Sequence, residues 1–257
     1  MTDFPLFLGL TTAMGLSIFL ALPLVYSARA QGRWGVGLNA AAIGILMFLL
    51  ADVFSDASHI IYPAGYVANA GYAAAFAIAF AAAFLGLLAV DSWPRRAGPE
   101  RPGTGPLRMA TIVAVGIGLQ NLTEGLVFGV NWTLGNVGIL AVVFVGFVLQ
   151  NISEGFPIVA PFLGAPEARK ADRLIGLYLL AGVPTIVGGL LGFVWSSDLF
   201  LVIFDAAAVG AIAYIMLPML RGAFRPLETR AASVRRDRIV YAGVLVGFLI
   251  GFLVNAL

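Results

Sequence analysis

The sequence predicts an all-α integral membrane protein, and three observations support this fold class. First, the 257 residues are 61% hydrophobic and only 11% charged. Second, the mean hydropathy is +0.99, which is far more apolar than a soluble core of this length needs, so the bilayer is the expected solvent. Third, all fifteen Lys and Arg residues fall into four short clusters. The apolar stretches around these clusters have the lengths of one or two membrane spans.

The apolar stretches divide into eight predicted helices within a single transmembrane domain, residues 1–257. The first and last stretches each hold one span, and the other three each have room for two at a rise of about 1.5 Å per residue. Helices 1 to 8 are predicted at about 4–27, 35–58, 64–90, 108–131, 136–161, 173–196, 199–221 and 239–257.

The order of these helices follows from the basic clusters at 29–33, 95–108, 169–173 and 221–238. Helix 1 precedes the first cluster; because it follows Asp3 and lacks a basic n-region, it is a predicted span rather than a cleaved signal peptide. Helices 2 and 3, 4 and 5, and 6 and 7 lie in pairs between successive clusters, and helix 8 follows the last. Every basic loop then lies on one side, which the positive-inside rule makes cytoplasmic, with both termini outside. A bacterial inner membrane is the expected location.

The two long loops, about 92–107 and 222–238, are predicted to be cytoplasmic and basic. Asp91 ends helix 3 on that side, so we expect it to pair with Arg95 or Arg96.

Composition excludes several classes of site. The chain has no cysteine, which excludes disulfides and thiolate metal sites, and a single histidine, His59, excludes a multi-histidine zinc site. No GxxxxGK[ST] motif for ATP is present. The sequence therefore predicts neither an enzyme nor a bound prosthetic group, and no nucleic-acid partner.

The most informative feature is a six-residue motif, Gln-Asn-x-[Ser/Thr]-Glu-Gly, that occurs twice, thirty residues apart. The copies are Gln120–Gly125 in helix 4 and Gln150–Gly155 in helix 5, and we call them the paired motif. A carboxylate inside a membrane helix is costly and marks a functional site by default. The i, i+3 and i+4 spacings place the Asn, Gln and Glu side chains of each copy on one helix face.

Both copies are predicted near the middle of the bilayer. Gln120 lies about 18 Å of helical rise beyond Arg108, and Gln150 about 21 Å beyond Asn136. Helices 4 and 5 are consecutive and therefore antiparallel, so the two copies imply a pseudo-two-fold axis in the membrane plane. Transporters built from inverted repeats bind their substrates at such a position.

The paired motif supplies two carboxylates and four carboxamide oxygens. Oxygen ligands suit hard divalent cations such as Mn²⁺, Fe²⁺, Mg²⁺ or Ca²⁺, and two carboxylates neutralise a charge of +2. The alternative is a hydrogen-bonded clamp, in which Gln, Asn and protonated Glu side chains join two helices. The candidate metal ligands are Gln120, Asn121, Glu124, Gln150, Asn151 and Glu154.

A second group of polar residues is predicted near the outer side. Asp52, Asp56 and His59 share one face of helix 2, and Asp205 lies about 10 Å inward from Asp198 on helix 7. Together they predict an acidic mouth that concentrates cations. The alternatives are solvated interfacial carboxylates and an interfacial histidine that binds no metal.

At the paired motif, Gln120–Gly125 and Gln150–Gly155, the chain resembles the ZIP family of divalent-metal transporters. That family has eight spans, outward termini and His-Asn-x-Pro-Glu-Gly motifs in helices 4 and 5. The segment Gly182–Gly189 resembles the family's helix 6 segment Gly-Leu-Ala-Glu-Pro-Leu-Gly-Ala, and Ala206–Tyr214 resembles its small-residue helix 7. The resemblance covers the whole chain in topology and three helices in motif.

The departures from the family pattern fall on the ligands. Gln120 and Gln150 stand where the family has its metal-binding histidines, and Thr123 and Ser153 stand where it has proline. Thr185 stands where helix 6 usually offers glutamate, so a contribution of Thr185 to the site is expected only through the resemblance. Exchanging imidazole for carboxamide leaves an all-oxygen site, which predicts weaker zinc binding and a shift toward harder ions.

The resemblance implies transport of a divalent cation, with uptake toward the cytoplasm. The substrate would be Zn, Fe, Mn, Co or Cd as the divalent ion. Helices 1, 4, 5 and 6 would move against a scaffold of helices 2, 3, 7 and 8, in a homodimer. Two alternatives stay open: a ZIP-like membrane protein that has lost transport and acts as a sensor or binding protein, or a carrier of a polar organic solute.

Overall fold

The prediction of an all-α fold is confirmed for the part of the chain that the structure describes. A computed structural model describes residues 3–23, 35–63, 68–92, 104–135, 137–162, 170–195, 197–224 and 229–255. Of these described residues 94% are helical, and none lies in a strand.

The described residues form eight α-helices, numbered here in chain order. Their bounds are α1 Phe4–Leu16, α2 Gly35–Ile61, α3 Ala70–Ser92, α4 Thr104–Thr133, α5 Val137–Val159, α6 Ala171–Val194, α7 Asp198–Ala223 and α8 Arg230–Asn255. Short 3₁₀ segments, Ser17–Ala21 and Ala160–Phe162, continue α1 and α5. Helix 1 was predicted at about 4–27; its helical segment runs from Phe4 to residue 23 with a 3₁₀ turn at Ser17–Ala21, and residues 24–27 lie outside the described part.

Among the described residues, seven helical segments are long and apolar enough to cross a membrane. They belong to α1 with its 3₁₀ extension, α2, α3, α4, α6, α7 and α8. The 23-residue α5 is not among the seven. The chain therefore has the character of a membrane protein, whereas the eight-span topology and the sides of the loops and termini remain predictions.

Helix 3 begins later than predicted, at Ala70 rather than residue 64. The Asn69 side chain caps it, because its Oδ1 accepts hydrogen bonds from the backbone N–H groups of Gly71 at 3.0 Å and Tyr72 at 3.2 Å. Residues 64–67 lie outside the described part of the chain. Apolar composition alone does not reveal such a cap.

Helix 8 begins nine residues earlier than predicted, at Arg230 rather than residue 239. The assignment of 230–238 to a loop is therefore wrong. Thr229 Oγ1 accepts from the backbone N–H of Ala232 at 3.2 Å, and no Gly or Pro interrupts 230–242. Hydropathy locates the apolar part of a helix, but here the helix continues beyond it through arginines, which favour helix.

The helices pack into two groups. In the first, α4 has its most extensive contact with α6, which also packs against α1, while the 3₁₀ extension of α1 packs against α5. In the second, α2 packs mainly against α8, and α3 against α7. These groups, which we call group A (α1, α4, α5, α6) and group B (α2, α3, α7, α8), meet chiefly where α4 crosses α7. Their membership matches the moving part and the scaffold that the resemblance implies, although relative motion itself stays a prediction.

Glycines allow α4 and α6 to touch through their backbones. A Cβ atom added at Gly125 would lie 2.8 Å from the backbone N of Gly189 on α6. One added at Gly188 would lie 2.8 Å from the carbonyl carbon of Leu122 on α4. Small residues at such crossings are typical of membrane helices. This crossing positions the first copy of the paired motif against α6.

Asp91 has a partner that the sequence did not predict, while its expected pairing with Arg95 or Arg96 stays a prediction. Asp91 Oδ1 lies 2.6 Å from Nη2 of Arg108 on α4. Arg95 and Arg96 lie outside the described residues. The sequence favoured near neighbours, whereas Arg108, seventeen residues away, is brought close because the start of α4 lies beside the end of α3.

Candidate functional site

The two copies of the paired motif meet between α4 and α5, as the sequence predicts. Gln150 Nε2 donates a hydrogen bond to Glu124 Oε1 at 2.7 Å. Gln120 Nε2 donates to Glu154 Oε1 at 3.1 Å and to Glu124 Oε1 at 3.2 Å. Each glutamine therefore binds the glutamate of the other copy. All four side chains are buried, so the two carboxylates share one interior site.

The two asparagines have a role that sequence reasoning missed. Asn121 Nδ2 donates to the carbonyl of Ala181 on α6 at 3.0 Å. Asn151 Nδ2 donates to the carbonyl of Met14 on α1, also at 3.0 Å. That second carbonyl lies at the end of α1 and also accepts from Ser17 Oγ at 2.6 Å. Each copy of the motif therefore binds a helix outside the α4–α5 pair: the first copy binds α6 and the second binds α1. Only knowledge of which helices are neighbours could have predicted these partners.

Several buried oxygens at this site accept no hydrogen bond from the described residues. If the motif were only a hydrogen-bonded clamp between helices, we would expect these atoms to be paired, because a buried polar group without a partner costs about 1–3 kcal/mol. A bound cation is one way to satisfy a group of acceptors. The atoms are Gln120 Oε1, Asn121 Oδ1, Glu124 Oε2, Asn151 Oδ1 and Glu154 Oε2, together with the hydroxyl of Thr185.

A cavity of about 150 Å³ connects the paired motif with the predicted acidic mouth. It lies between groups A and B. Because Asp56 is exposed, the cavity reaches the protein surface. Asp205, which was expected near the interface, is only 3% exposed. Polar lining side chains are Asp52 and Asp56 from α2, Asp205 from α7, Gln120, Thr123 and Glu124 from α4, and Gln150 from α5.

The remaining candidate residues do not line the cavity. Asn121, Asn151, Glu154 and Thr185 are buried but do not line this cavity, and His59 is exposed and does not line it either. Within the described part of the chain, no group of three or more His, Cys, Asp or Glu side chains is close enough to hold a metal ion. A metal at the paired motif would therefore need amide oxygens in addition to the two carboxylates.

A comparison with protein-family models and with curated proteins finds no match to this chain. The resemblance to ZIP transporters therefore rests on the motifs and the order of the helices, and it stays a prediction.

Proposed function

We propose that the chain is a bacterial inner-membrane transporter of divalent metal cations and a member of the ZIP family. One observation carries the proposal: two buried glutamates share an interior site rich in acceptor oxygens without donors, and one of them, Glu124, lines an acidic cavity that reaches the surface. Such a site favours a hard cation over an anion or an apolar ligand.

The cavity gives the cation a route to this site. Under the positive-inside rule its open end faces outward, so Asp52, Asp56 and Asp205 would collect cations from the outer side. Its volume of about 150 Å³ equals that of roughly five waters at about 30 Å³ each. That space suits an ion that has lost part of its water shell. The direction of transport would be uptake.

Binding would use the oxygens that now lack donors. Glu124 and Glu154 would supply the charge, and the Gln and Asn amides would complete the shell through their oxygens. Because the histidines of the family pattern are replaced by Gln120 and Gln150, we expect Mn²⁺ and Fe²⁺ to compete with Zn²⁺ better than at an imidazole site. Group A would then carry the ion past group B, in a homodimer as the resemblance implies.

A specific observation favours a second candidate function, transport of a polar organic solute. The glutamine amides act as donors between α4 and α5, and a small solute with hydroxyl or amide groups could replace those bonds. A third candidate is a protein that keeps the site but has lost transport. Metal-dependent stabilisation separates these candidates, because an ion raises the melting temperature only if it binds the native state.

The test is uptake of Mn²⁺, Fe²⁺, Co²⁺, Zn²⁺ and Cd²⁺ into liposomes that contain the purified protein. We expect saturable uptake of at least one ion, and the same ion should raise the melting temperature in detergent. Uptake of none of the five, together with an unchanged melting temperature, would contradict metal transport. If ions stabilise the protein but do not cross, the binding-protein alternative is correct.

Restoring imidazole should change the order of the ions. In the double variant Gln120→His with Gln150→His, we expect Zn²⁺ uptake to rise relative to Mn²⁺ uptake by about tenfold, because nitrogen ligands favour zinc. Competition between the two ions in the liposome assay measures the ratio. Gln120→Asn with Gln150→Asn keeps amide chemistry and serves as the control. An equal ratio in both variants would show that position 120 and position 150 do not contact the ion.

A further inference from the structure

An ion-pair network joins group A to group B at the end of the bundle opposite the cavity. The Arg108 guanidinium on α4 contacts both the carboxylate and the backbone carbonyl of Asp91 at the end of α3. The hydroxyl of Tyr214 on α7 donates to the other carboxylate oxygen, Asp91 Oδ2, at 2.7 Å. We call these three residues the latch. Arg108 is its only member from group A.

The latch and the cavity are well separated along the helices. On α4, Arg108 lies twelve residues before Gln120, or about 18 Å. On α7, Tyr214 lies nine residues beyond Asp205, or about 14 Å. Between the latch and the cavity, one apolar cluster packs group A against group B. Its members include Val113 and Ile117 of α4 and Ile215 of α7. The bundle is therefore hollow at one end and closed by apolar packing plus the latch at the other.

Asp91 is held from two directions. Tyr214 is buried, and its ring lies edge-on to Phe84 of α3, with ring centroids 5.6 Å apart. Group B thus fixes the carboxylate on its own, and the guanidinium of Arg108 is the group that leaves if α4 moves relative to α3 and α7. A charged group that donates to two acceptors on one residue is also well suited to a directional contact.

We propose that the latch is a gate contact that holds the conformation in which the cavity is open at the Asp56 end, and that it separates when the cavity opens at the other end. This inference rests on the proposed alternation of the site between the two sides, but not on the identity of the solute. Because the ion pair is partly exposed, its effect is modest: loss of the guanidinium shifts the balance of the two conformations by roughly twofold to fivefold.

The test measures exposure of the cavity directly, without metal. The chain has no cysteine, so Val127→Cys places one thiol in the cavity wall. Its labelling by a membrane-impermeant maleimide is compared between spheroplasts and inverted membrane vesicles. In this background Arg108→Gln should lower the ratio of labelling from the cavity-open side to labelling from the opposite side by about twofold to fivefold. Tyr214→Phe, which keeps the charges and the packing, should move the ratio in the same direction by less.

Two controls decide the outcome. Arg238→Gln makes the same substitution at an exposed arginine of α8 and should leave the ratio unchanged. The exchange Asp91→Arg with Arg108→Asp restores the ion pair but not the hydrogen bond from Tyr214, so it should raise the ratio above that of Arg108→Gln. The proposal is overturned if Arg108→Gln gives the ratio of Arg238→Gln, or if the exchange gives no higher ratio than Arg108→Gln alone. Metal uptake plays no part in this measurement, so failure of metal transport and failure of the latch are distinguishable.

Discussion

Replacing the two buried glutamates with glutamine should abolish metal uptake without disrupting the bundle. In the variant Glu124→Gln with Glu154→Gln, the side chains keep their size, and their amide oxygens can still accept from Gln120 and Gln150. No negative charge then remains at the paired motif to offset a divalent cation. Loss of one partner of a buried charged pair costs about 3–5 kcal/mol, and each 1.4 kcal/mol is about tenfold in affinity. We therefore expect uptake to fall by more than about a hundredfold, to the level of protein-free liposomes.

The melting temperature identifies the cause of that loss. The wild-type protein should melt at a higher temperature with the transported ion, and the variant should not respond to it. Asp172→Asn removes an exposed carboxylate at the start of α6 and should change neither uptake nor the response. Undiminished uptake by the glutamate variant would show that the paired motif is a helix clamp, and the metal hypothesis would fail.

The meeting of the two motif copies could be predicted from helical periodicity together with the adjacency of consecutive membrane helices. Residues at i and i+4 share a face, and consecutive membrane helices are antiparallel neighbours, so Gln120 and Glu124 had to approach Gln150 and Glu154. The sequence did not predict that one cavity connects the paired motif with Asp52, Asp56 and Asp205. This connection depends on α2 and α7 lying beside α4 and α5, which their sequences do not specify.

The roles of the asparagines could not be predicted for the same reason. The sequence placed Asn121 and Asn151 on the same helix faces as the glutamates, and their side-chain oxygens are buried without donors. Their amide nitrogens, however, bind carbonyls of α6 and α1. Each asparagine side chain therefore has its oxygen at the site and its nitrogen on a neighbouring helix. Helical periodicity predicts the first position but not the neighbouring helix.

Local errors in the helix bounds have a different cause. Apolar composition predicts which part of a helix lies in the membrane interior. The ends of the helix, however, are set by groups that cap its free backbone N–H and C=O groups. Asn69 and Thr229 accept the first N–H groups of α3 and α8 and shift both starts away from the ends of the apolar stretches. The Arg-rich start of α8 is helical although it is polar. Composition and capping therefore have to be considered separately in this chain.

The contact between α4 and α6 should tolerate substitution poorly. Gly125→Ala adds a Cβ atom 2.8 Å from the backbone N of Gly189 and 2.9 Å from the carbonyl carbon of Thr185, which are backbone atoms that cannot rotate away. The helices must separate, and overpacking of this kind costs about 1–3 kcal/mol. Because Asn121 and Glu124 lie within one turn of the contact, we expect uptake to be lost along with a lower melting temperature. Circular dichroism in detergent measures the stability.

The matched control is Gly176→Ala on α6, where no atom lies within 4 Å of the added carbon. Alanine favours helix over glycine by roughly 0.5–1 kcal/mol, so this variant should be as stable as the wild type or more so, with normal uptake. The two variants should change stability in opposite directions for one reason. Each adds the same methyl group to a membrane helix, but in Gly125→Ala it meets a backbone and in Gly176→Ala it meets open space. Equal melting temperatures for the two variants would mean that α4 and α6 are not in backbone contact, and the positioning of the paired motif against α6 would have to be abandoned.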